Sequence, residues 1–278
     1  FFLIFFFCFK NNSINMTTIK VFSWNIACMP NYINTFGNVE SRLDNIIKFI
    51  DIHNPDIISL QEVFSQNSRD ILYTFFRKKK YNIRMAPYTT LLLNGGLFTA
   101  SKYEIVANDY KIYKNYIGED GISQKGILYC LIKYNDKYIN IFNSHLNSDT
   151  PLVYSNSKSI PLVKKKQLSE LLIYFNKIIE NNKYIICDKK NIIYVIAGDL
   201  NLDFNSNLYT YFIEKLKKNL NICSNKNETI TDNIEKKQVD YIINCYNKNI
   251  TKPYEIIYSY SNIIKLSDHC PLIKKFII

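Results

Sequence analysis

The sequence predicts an α/β domain, because strand patterns and amphipathic helix patterns alternate along most of the chain. Of its 278 residues, 47% are hydrophobic and 21% are charged, a composition typical of a packed globular protein rather than a disordered one. Neither an internal repeat nor a Gly/Ser-rich linker divides the chain. A single domain of this length is therefore the simplest prediction.

The first part of the chain is predicted to alternate two buried strands with two helices. Residues 18–29 form a β-branched and aromatic run that favours a strand. Residues 39–54 place apolar side chains at helical spacing, and Pro55 ends that helix. A second strand is predicted at residues 56–63, where the apolar run closes on a carboxylate, and a second helix follows at residues 68–79.

The rest of the chain is predicted to be rich in strands, with one amphipathic helix over residues 164–182. The predicted strands are a pair around a Gly-Gly turn at residues 88–105, a hairpin around Asn135-Asp136 at residues 124–146, and single strands at residues 191–203, 237–245 and 270–278.

Charge alone leaves the partner of this protein open. The net charge of +11 would attract nucleic acid or an anionic membrane. The basic residues are mostly lysine, however, and Asn, Ile and Tyr are abundant while Gly and Pro are scarce. Such a profile is typical of AT-rich coding sequence, so part of the charge reflects base composition.

The cysteines and the N-terminus bear on the compartment. Seven scattered cysteines without a CxxC pair fit neither a zinc site nor a disulfide framework. Reduced thiols favour a cytoplasmic or membrane-peripheral location. Residues 1–16 begin with an apolar run too short to span a bilayer. We interpret them as an extension, either translated non-coding sequence or a truncated secretion signal, and residues 17–278 as the domain.

Polar side chains collect where the predicted strands end. The chain has three histidines, and two of them lie in such positions. Buried polar groups are costly unless they are paired, so repeated clusters at strand ends indicate a shared site. These clusters contain Asn25, Glu62, His145, Asn147, Asp199, Asn201, Asp240, Asp268 and His269.

These residue types suit phosphoryl transfer. A carboxylate supplies the hard oxygen ligand that Mg²⁺ prefers, and a histidine paired with a carboxylate can act as a general base toward water. A second histidine and asparagine side chains can donate to charge that develops on phosphate. The sequence has no GxSxG motif and no GxxxxGK[ST] motif, which argues against a serine hydrolase and a P-loop enzyme.

Taken in order, the motifs WN, QE, SHL, GDLN, VDY and SDH resemble those of the endonuclease/exonuclease/phosphatase superfamily, over residues 18–278. This resemblance implies a four-layer α/β/β/α sandwich of the deoxyribonuclease type. Two packed, mainly antiparallel sheets would be flanked by helices. Within the superfamily, the stretch at residues 113–149 is similar to neutral sphingomyelinases.

By resemblance, one group of residues would handle the metal and the proton. Glu62 resembles the Mg²⁺ ligand, with Asn25 beside it and Asp268 close to the metal. His269 resembles the general base that takes a proton from the attacking water. Asp240 would hold His269 by a hydrogen bond. Mn²⁺ or Co²⁺ is expected to be able to replace Mg²⁺.

A second group would contact the phosphate and the substrate. Asp199 resembles the residue that positions the nucleophilic water or a second metal ion. Asn201 and His145 would stabilise the transition state. Lys125, which enters the strand before the SHL motif, and Asn147 after it are predicted to bind substrate.

The resemblance implies Mg²⁺-dependent hydrolysis of sphingomyelin to ceramide and phosphocholine, by a monomer working at a membrane surface. A nuclease or an inositol-phosphate phosphatase of the same superfamily is the alternative, and the lysine excess keeps nucleic acid open as a partner. An aromatic edge at residues 254–260 would suit a membrane interface, although an ordinary strand is the simpler interpretation.

Overall fold

In the part of the chain that the computed structural model describes, twelve strands form two six-stranded sheets. Four α-helices cover the outer faces of these sheets. The predicted extension at residues 1–16 lies outside the described residues, as do Tyr254 and Tyr260 of the predicted aromatic edge. The described residues are 18–30, 39–88, 93–149, 159–185, 192–218, 220–223, 237–246, 255–259 and 266–277.

The first sheet joins strands that are far apart in the sequence. Its strands are β1 (Thr18–Cys28), β2 (Ile57–Val63), β3 (Asn82–Met85), β4 (Phe98–Ser101), β11 (Glu255–Ser259) and β12 (Leu272–Ile277). They lie in the order β11-β12-β1-β2-β4-β3. β1 runs parallel to β2 and antiparallel to β12, and the other neighbours are antiparallel.

The second sheet has the same character, with one parallel pair among antiparallel neighbours. Its strands are β5 (Glu104–Ile112), β6 (Gly126–Tyr134), β7 (Lys137–His145), β8 (Ile192–Asp199), β9 (Asn221–Cys223) and β10 (Asp240–Tyr246). They lie in the order β5-β6-β7-β8-β10-β9, and β7 and β8 are the parallel pair.

Helices pack on the outer face of each sheet. The helices are α1 (Val39–His53), α2 (Gln66–Lys78), α3 (Ile160–Ile185) and α4 (Asn207–Lys217). The first two share an apolar core with the first sheet, and the last two share one with the second sheet. Ser65 and Ser206 cap α2 and α4, because each hydroxyl oxygen accepts a backbone N–H at 3.1 Å.

A third apolar core lies between the two sheets and contains buried residues from both, such as Val21, Leu128 and Val195. Strands covered on both faces read as nearly continuous apolar runs, as the buried strands of this sequence do. Polar bonds also cross this core: Gln61 Nε2 donates to Asn143 Oδ1 at 2.8 Å, and Lys274 Nζ donates to the carbonyl of Ile242 at 2.9 Å.

The predicted four-layer α/β/β/α sandwich is therefore confirmed, although details of its strands are corrected. The Gly95-Gly96 pair lies just before β4, in the connection from its antiparallel partner β3, and β3 precedes the predicted range. Residues 89–92 of the first predicted strand lie outside the described residues. With only four, mostly half-exposed residues, β3 carries a weak pattern. Helix α4 was not predicted from the sequence, even though its buried residues lie at helical spacing: Tyr209, Phe212, Ile213 and Leu216.

The described cysteines agree with the prediction of reduced thiols. Cys28, Cys130, Cys245 and Cys270 are buried and unbridged. Burial raises the pKa of the Cys28 thiol to about 11 and that of Cys130 to about 12, so both stay protonated. Among the described helices, none combines the length and the apolar character that a bilayer span would need.

Gly198 is predicted to be indispensable for the contact between β7 and β8. Its φ is +140°, and a Cβ there would lie 2.0 Å from the carbonyl oxygen of Ser144, its neighbour in register. Gly198→Ala should therefore lower the free energy of unfolding by at least about 2 kcal/mol, which thermal unfolding would measure. Thr210→Ala on the exposed face of α4 is the control. An unchanged melting temperature in Gly198→Ala would contradict this close packing.

Candidate active site

Residues from both sheets meet at one edge of the molecule. We call this set the polar rim: Asn25, Glu62, His145, Asp199, Asp240 and His269. In the second sheet, strand register places Asp199 between His145 on β7 and Asp240 on β10. In the first sheet, Asn25 lies beside Gln61 on parallel strands. Side chains at the carboxyl ends of parallel strands share one edge, which explains the convergence.

Asn25 links the residues that the two sheets contribute to the polar rim. Its Nδ2 donates to Glu62 Oε1 and to Asp199 Oδ2, both at 3.0 Å. Its Oδ1 accepts the backbone N–H of Ala27 at 3.1 Å, in a stretch where the register of β1 shifts. That bond directs the amide N–H groups toward the carboxylates, so Asn25 orients Glu62 here. Its predicted role as a metal ligand stays a prediction.

His269 and Asp240 form a buried pair. His269 Nδ1 donates to Asp240 Oδ2 at 2.7 Å, and His269 Nε2 lies 3.7 Å from Asp199 Oδ2. Trp24 Nε1 donates to the carbonyl of His269 at 2.8 Å, and the His269 backbone N–H donates to Ser267 Oγ. The motif before β12 is thus fixed against β1, and Nε2 is left facing the rim.

Burial and neighbouring charges both shift the pKa values of the titratable side chains in the polar rim, and for His269 the two effects oppose each other. Burial alone would lower the pKa of His269, but the carboxylates of Asp240 and Asp199 outweigh burial and raise it well above its usual value. Burial raises the pKa of Asp199 to about 7. Burial and the charge of Asp268 raise the pKa of Glu62. His269 Nε2 is therefore the strongest proton acceptor of these histidine nitrogens.

His145 has the opposite electrostatic character. Burial lowers its pKa well below the usual value, and the charge of Lys125 lowers it further. Lys125 Nζ lies 3.1 Å from His145 Nε2 and 2.7 Å from Asp120 Oδ1. Because the ammonium group can only donate, Nε2 accepts and the proton of the neutral ring is on Nδ1. Among the described residues, His145 Nδ1 finds no hydrogen-bond partner.

The residues of this site suit a divalent cation. Glu62 keeps 22% of its side chain exposed, and Asp268 is close enough to raise its pKa. A cation beside these two carboxylates would offset their like charge, and hard oxygen donors suit Mg²⁺. Deeper in the site, one potential ligand atom from each of Asp199, Asp240 and His269 lies within 4.8 Å of the others.

Of the remaining predicted residues, Asn201 reaches the rim and Asn147 turns away from it. Asn201 has a φ of +47°, its backbone N–H donates to Asp199 Oδ1 at 2.9 Å, and its Nδ2 donates to the carbonyl of Leu146 at 3.2 Å. Asn147 is fully buried, and its Oδ1 accepts the backbone N–H of Ile117 at 2.9 Å. Asn147 therefore fixes a loop, and its predicted contact with substrate stays a prediction.

Two charged residues near the rim were not assigned from the sequence. Asp120 holds Lys125 and also accepts the backbone N–H of Ser148 at 2.7 Å. Lys164 lies on α3, and its Nζ donates to the carbonyl of Asn201 at 2.5 Å. The sequence does contain a sign that Lys164 is unusual, because this lysine occupies a position on the apolar face of α3. No spacing rule would have singled out Asp120.

Comparison with curated proteins shows relatives that act on lipids. The chain is 25% identical over 210 residues to a sphingomyelinase C of Bacillus cereus, an alignment that includes 70% of this chain and 58% of that protein. The chain thus spans just over half the length of this relative.

Comparison with solved structures shows a widely shared fold. The beta toxin of Staphylococcus aureus with bound magnesium ions superposes with a TM-score of 0.71 at 20% identity, over 94% of this chain and 99% of that one. A Danio rerio TDP2 in complex with a single-strand DNA product superposes with a TM-score of 0.68 at 15% identity, over 94% and 99% of the two chains.

The family model for endonucleases, exonucleases and phosphatases matches residues 22–269, which include every residue of the polar rim. The match runs from β1 through the motif before β12, so it takes in both sheets as well as the site. The chain belongs to the endonuclease/exonuclease/phosphatase family.

Proposed function

We propose that this protein is a Mg²⁺-dependent phosphodiesterase that hydrolyses sphingomyelin to ceramide and phosphocholine. The observation that carries the proposal is the His269–Asp240 pair, which faces Asp199 across 3.7 Å, with Asn25 linking Asp199 to Glu62. In this proposal, His269 would supply the base and Glu62 the carboxylate suited to a metal. The sphingomyelinase relatives support the choice of substrate.

His269 would act as the general base. Its Nδ1–H is held by Asp240, so in the neutral ring Nε2 would carry the lone pair that faces the rim. A water molecule beside Nε2 would give its proton to the imidazole as its oxygen bonds to phosphorus. The bond from phosphorus to the ceramide oxygen breaks, and that oxygen then takes up a proton. Asp199, with its Oδ2 near Nε2, would orient the attacking water.

Glu62 and Asp268 would hold the metal ion, with Asn25 orienting Glu62. When bound, Mg²⁺ would polarise a phosphoryl oxygen. Its charge would also oppose the effects of burial and of the Asp268 carboxylate, which raise the pKa of Glu62.

On the other side of the phosphate, neutral His145 would offer an N–H donor without adding charge. Asn201 would donate from its side chain, which lies between the loops that follow β7 and β8. Lys125 is buried beside His145, and its charge favours an anion in the pocket. These three residues would thus contact the phosphate on the side opposite the metal ion.

The substrate is tested by comparing two phosphodiesters. The purified protein should release phosphocholine from sphingomyelin vesicles when Mg²⁺ is present, and a chelator should abolish the release. Relaxation of supercoiled plasmid DNA under the same conditions measures nuclease activity. Cleavage of DNA without release of phosphocholine would reject sphingomyelin as the substrate and favour the nuclease alternative.

His269→Ala should lower kcat by about 10²- to 10⁴-fold, because it removes the general base. The variant should keep its fold, which circular dichroism and thermal unfolding would show. His53→Gln is the matched control, since His53 lies on α1, away from the rim, and bonds to Phe49 of its own helix. Turnover at the wild-type rate in His269→Ala would refute the assignment of the base.

Glu62→Gln should raise the Mg²⁺ concentration needed for half-maximal activity and also lower the maximal rate, because an amide is a weaker ligand than a carboxylate. A titration of activity against Mg²⁺ measures both. Glu104→Gln, an exposed change on β5, is the control. An unchanged titration curve in Glu62→Gln would contradict its role as a ligand.

A further inference from the structure

Lys164 is a cation in an apolar environment. It lies in the first turns of α3, between Ile160 and Leu168 on the face that packs against the second sheet, and only 3% of it is exposed. The next two residues, Lys165 and Lys166, are exposed on the same turn. Burying a lysine at a position that an apolar side chain would fill is unfavourable unless its charge is compensated.

The ammonium group of Lys164 joins three separate segments of the chain. It forms an ion pair with Asp149, in the loop that follows β7, and donates to the backbone carbonyl of Asn201, in the loop that follows β8. The loops that carry the motifs after His145 and Asp199 are therefore both tied to α3 through one nitrogen.

A second set of bonds links the same two loops on the far side of Asn201. The carbonyl of Leu146 accepts from Asn201 Nδ2 at 3.2 Å and from Lys125 Nζ at 3.1 Å. Asn201 is thus held at both ends, its carbonyl by Lys164 and its amide by Leu146. A displacement of Asn201 would therefore also displace Leu146, the residue that follows His145.

The charge of Lys164 also acts on the rim. Burial lowers the pKa of Lys164, and Asp149, whose side chain is 41% exposed, partly restores it. After burial and the charges of Lys125 and His269, the charge of Lys164 contributes to the low pKa of His145. Lys164 thereby helps to keep that imidazole neutral.

We infer that Lys164 is a positioning residue of this site: by clamping Asp149 and the Asn201 carbonyl to α3, it holds Asn201 and His145 in the geometry needed for phosphodiester hydrolysis. The inference rests on the proposed function for its effect on turnover. The clamp itself is a structural property that can be measured without substrate.

The test compares Lys164→Met, which keeps the length and loses the donor, with Lys166→Met as the matched control. Lys164→Met should lower kcat for phosphocholine release by about 10²-fold, since small misplacements of catalytic groups have effects of this order. Its KM should change far less, because the clamp acts on groups that bind the transition state. Lys164→Arg should recover part of the loss, and Lys166→Met should behave as wild type.

Hydrogen–deuterium exchange supplies the readout that does not depend on substrate. Lys164→Met should accelerate exchange at residues 145–149 and 199–203 and leave β1 unchanged, whereas Lys166→Met should change neither. If Lys164→Met fails to fold, Asp149→Asn tests the same clamp from its exposed partner and should also lower kcat and accelerate exchange in these loops.

Wild-type kcat and wild-type exchange in Lys164→Met, or in Asp149→Asn where the first variant does not fold, would overturn the inference. An equal loss of kcat in Lys166→Met would overturn it too, because the effect would then belong to net charge. If the wild-type protein does not hydrolyse sphingomyelin, the proposed function fails. In that case the exchange experiment still decides whether Lys164 holds the two loops.

Discussion

The amide of Asn25 is the interaction on which the site depends most. It donates to Glu62, on a neighbouring strand of the first sheet, and to Asp199, on the second sheet. Both carboxylates are in a poorly solvated place, where two negative charges repel each other strongly. One side chain with two N–H donors brings them together without adding charge. The Ala27 N–H fixes which way that amide points, so the conformation of β1 directs the Asn25 donors toward both carboxylates.

Around this amide, the rim separates into an acidic side and a basic side. The acidic side contains Glu62, Asp199 and Asp240, and the charges of Asp240 and Asp199 outweigh burial and raise the pKa of His269. The basic side contains two buried lysines, Lys125 and Lys164, each paired with a carboxylate from a nearby loop. These lysines lower the pKa of His145. The surroundings of the two histidines thus shift their pKa values in opposite directions.

The two-sheet frame supports the site without deciding its substrate. Gln61 and Asn143 bridge the sheets through buried hydrogen bonds, so the rim inherits the rigidity of both. Solved structures with this fold include a sphingomyelinase C of Streptomyces griseocarneus and the Danio rerio TDP2 with a single-strand DNA product. A fold shared so widely positions the reacting groups, and the choice of substrate rests with loops and side chains around the rim.

The sequence by itself determined the buried strands, most helices and the residues of the rim, because apolar periodicity and polar strand ends are local signals. It could not reveal which of those residues would touch, since Asn25 and Asp199 are brought together only when the two sheets pack. It could not place Asn147, whose side chain the fold turns into a loop, or the pairing of Asp120 with Lys125. Lys164 shows the difference most clearly: the sequence puts a lysine on an apolar helix face, but only the tertiary structure supplies the carboxylate and the carbonyl that make its burial tolerable.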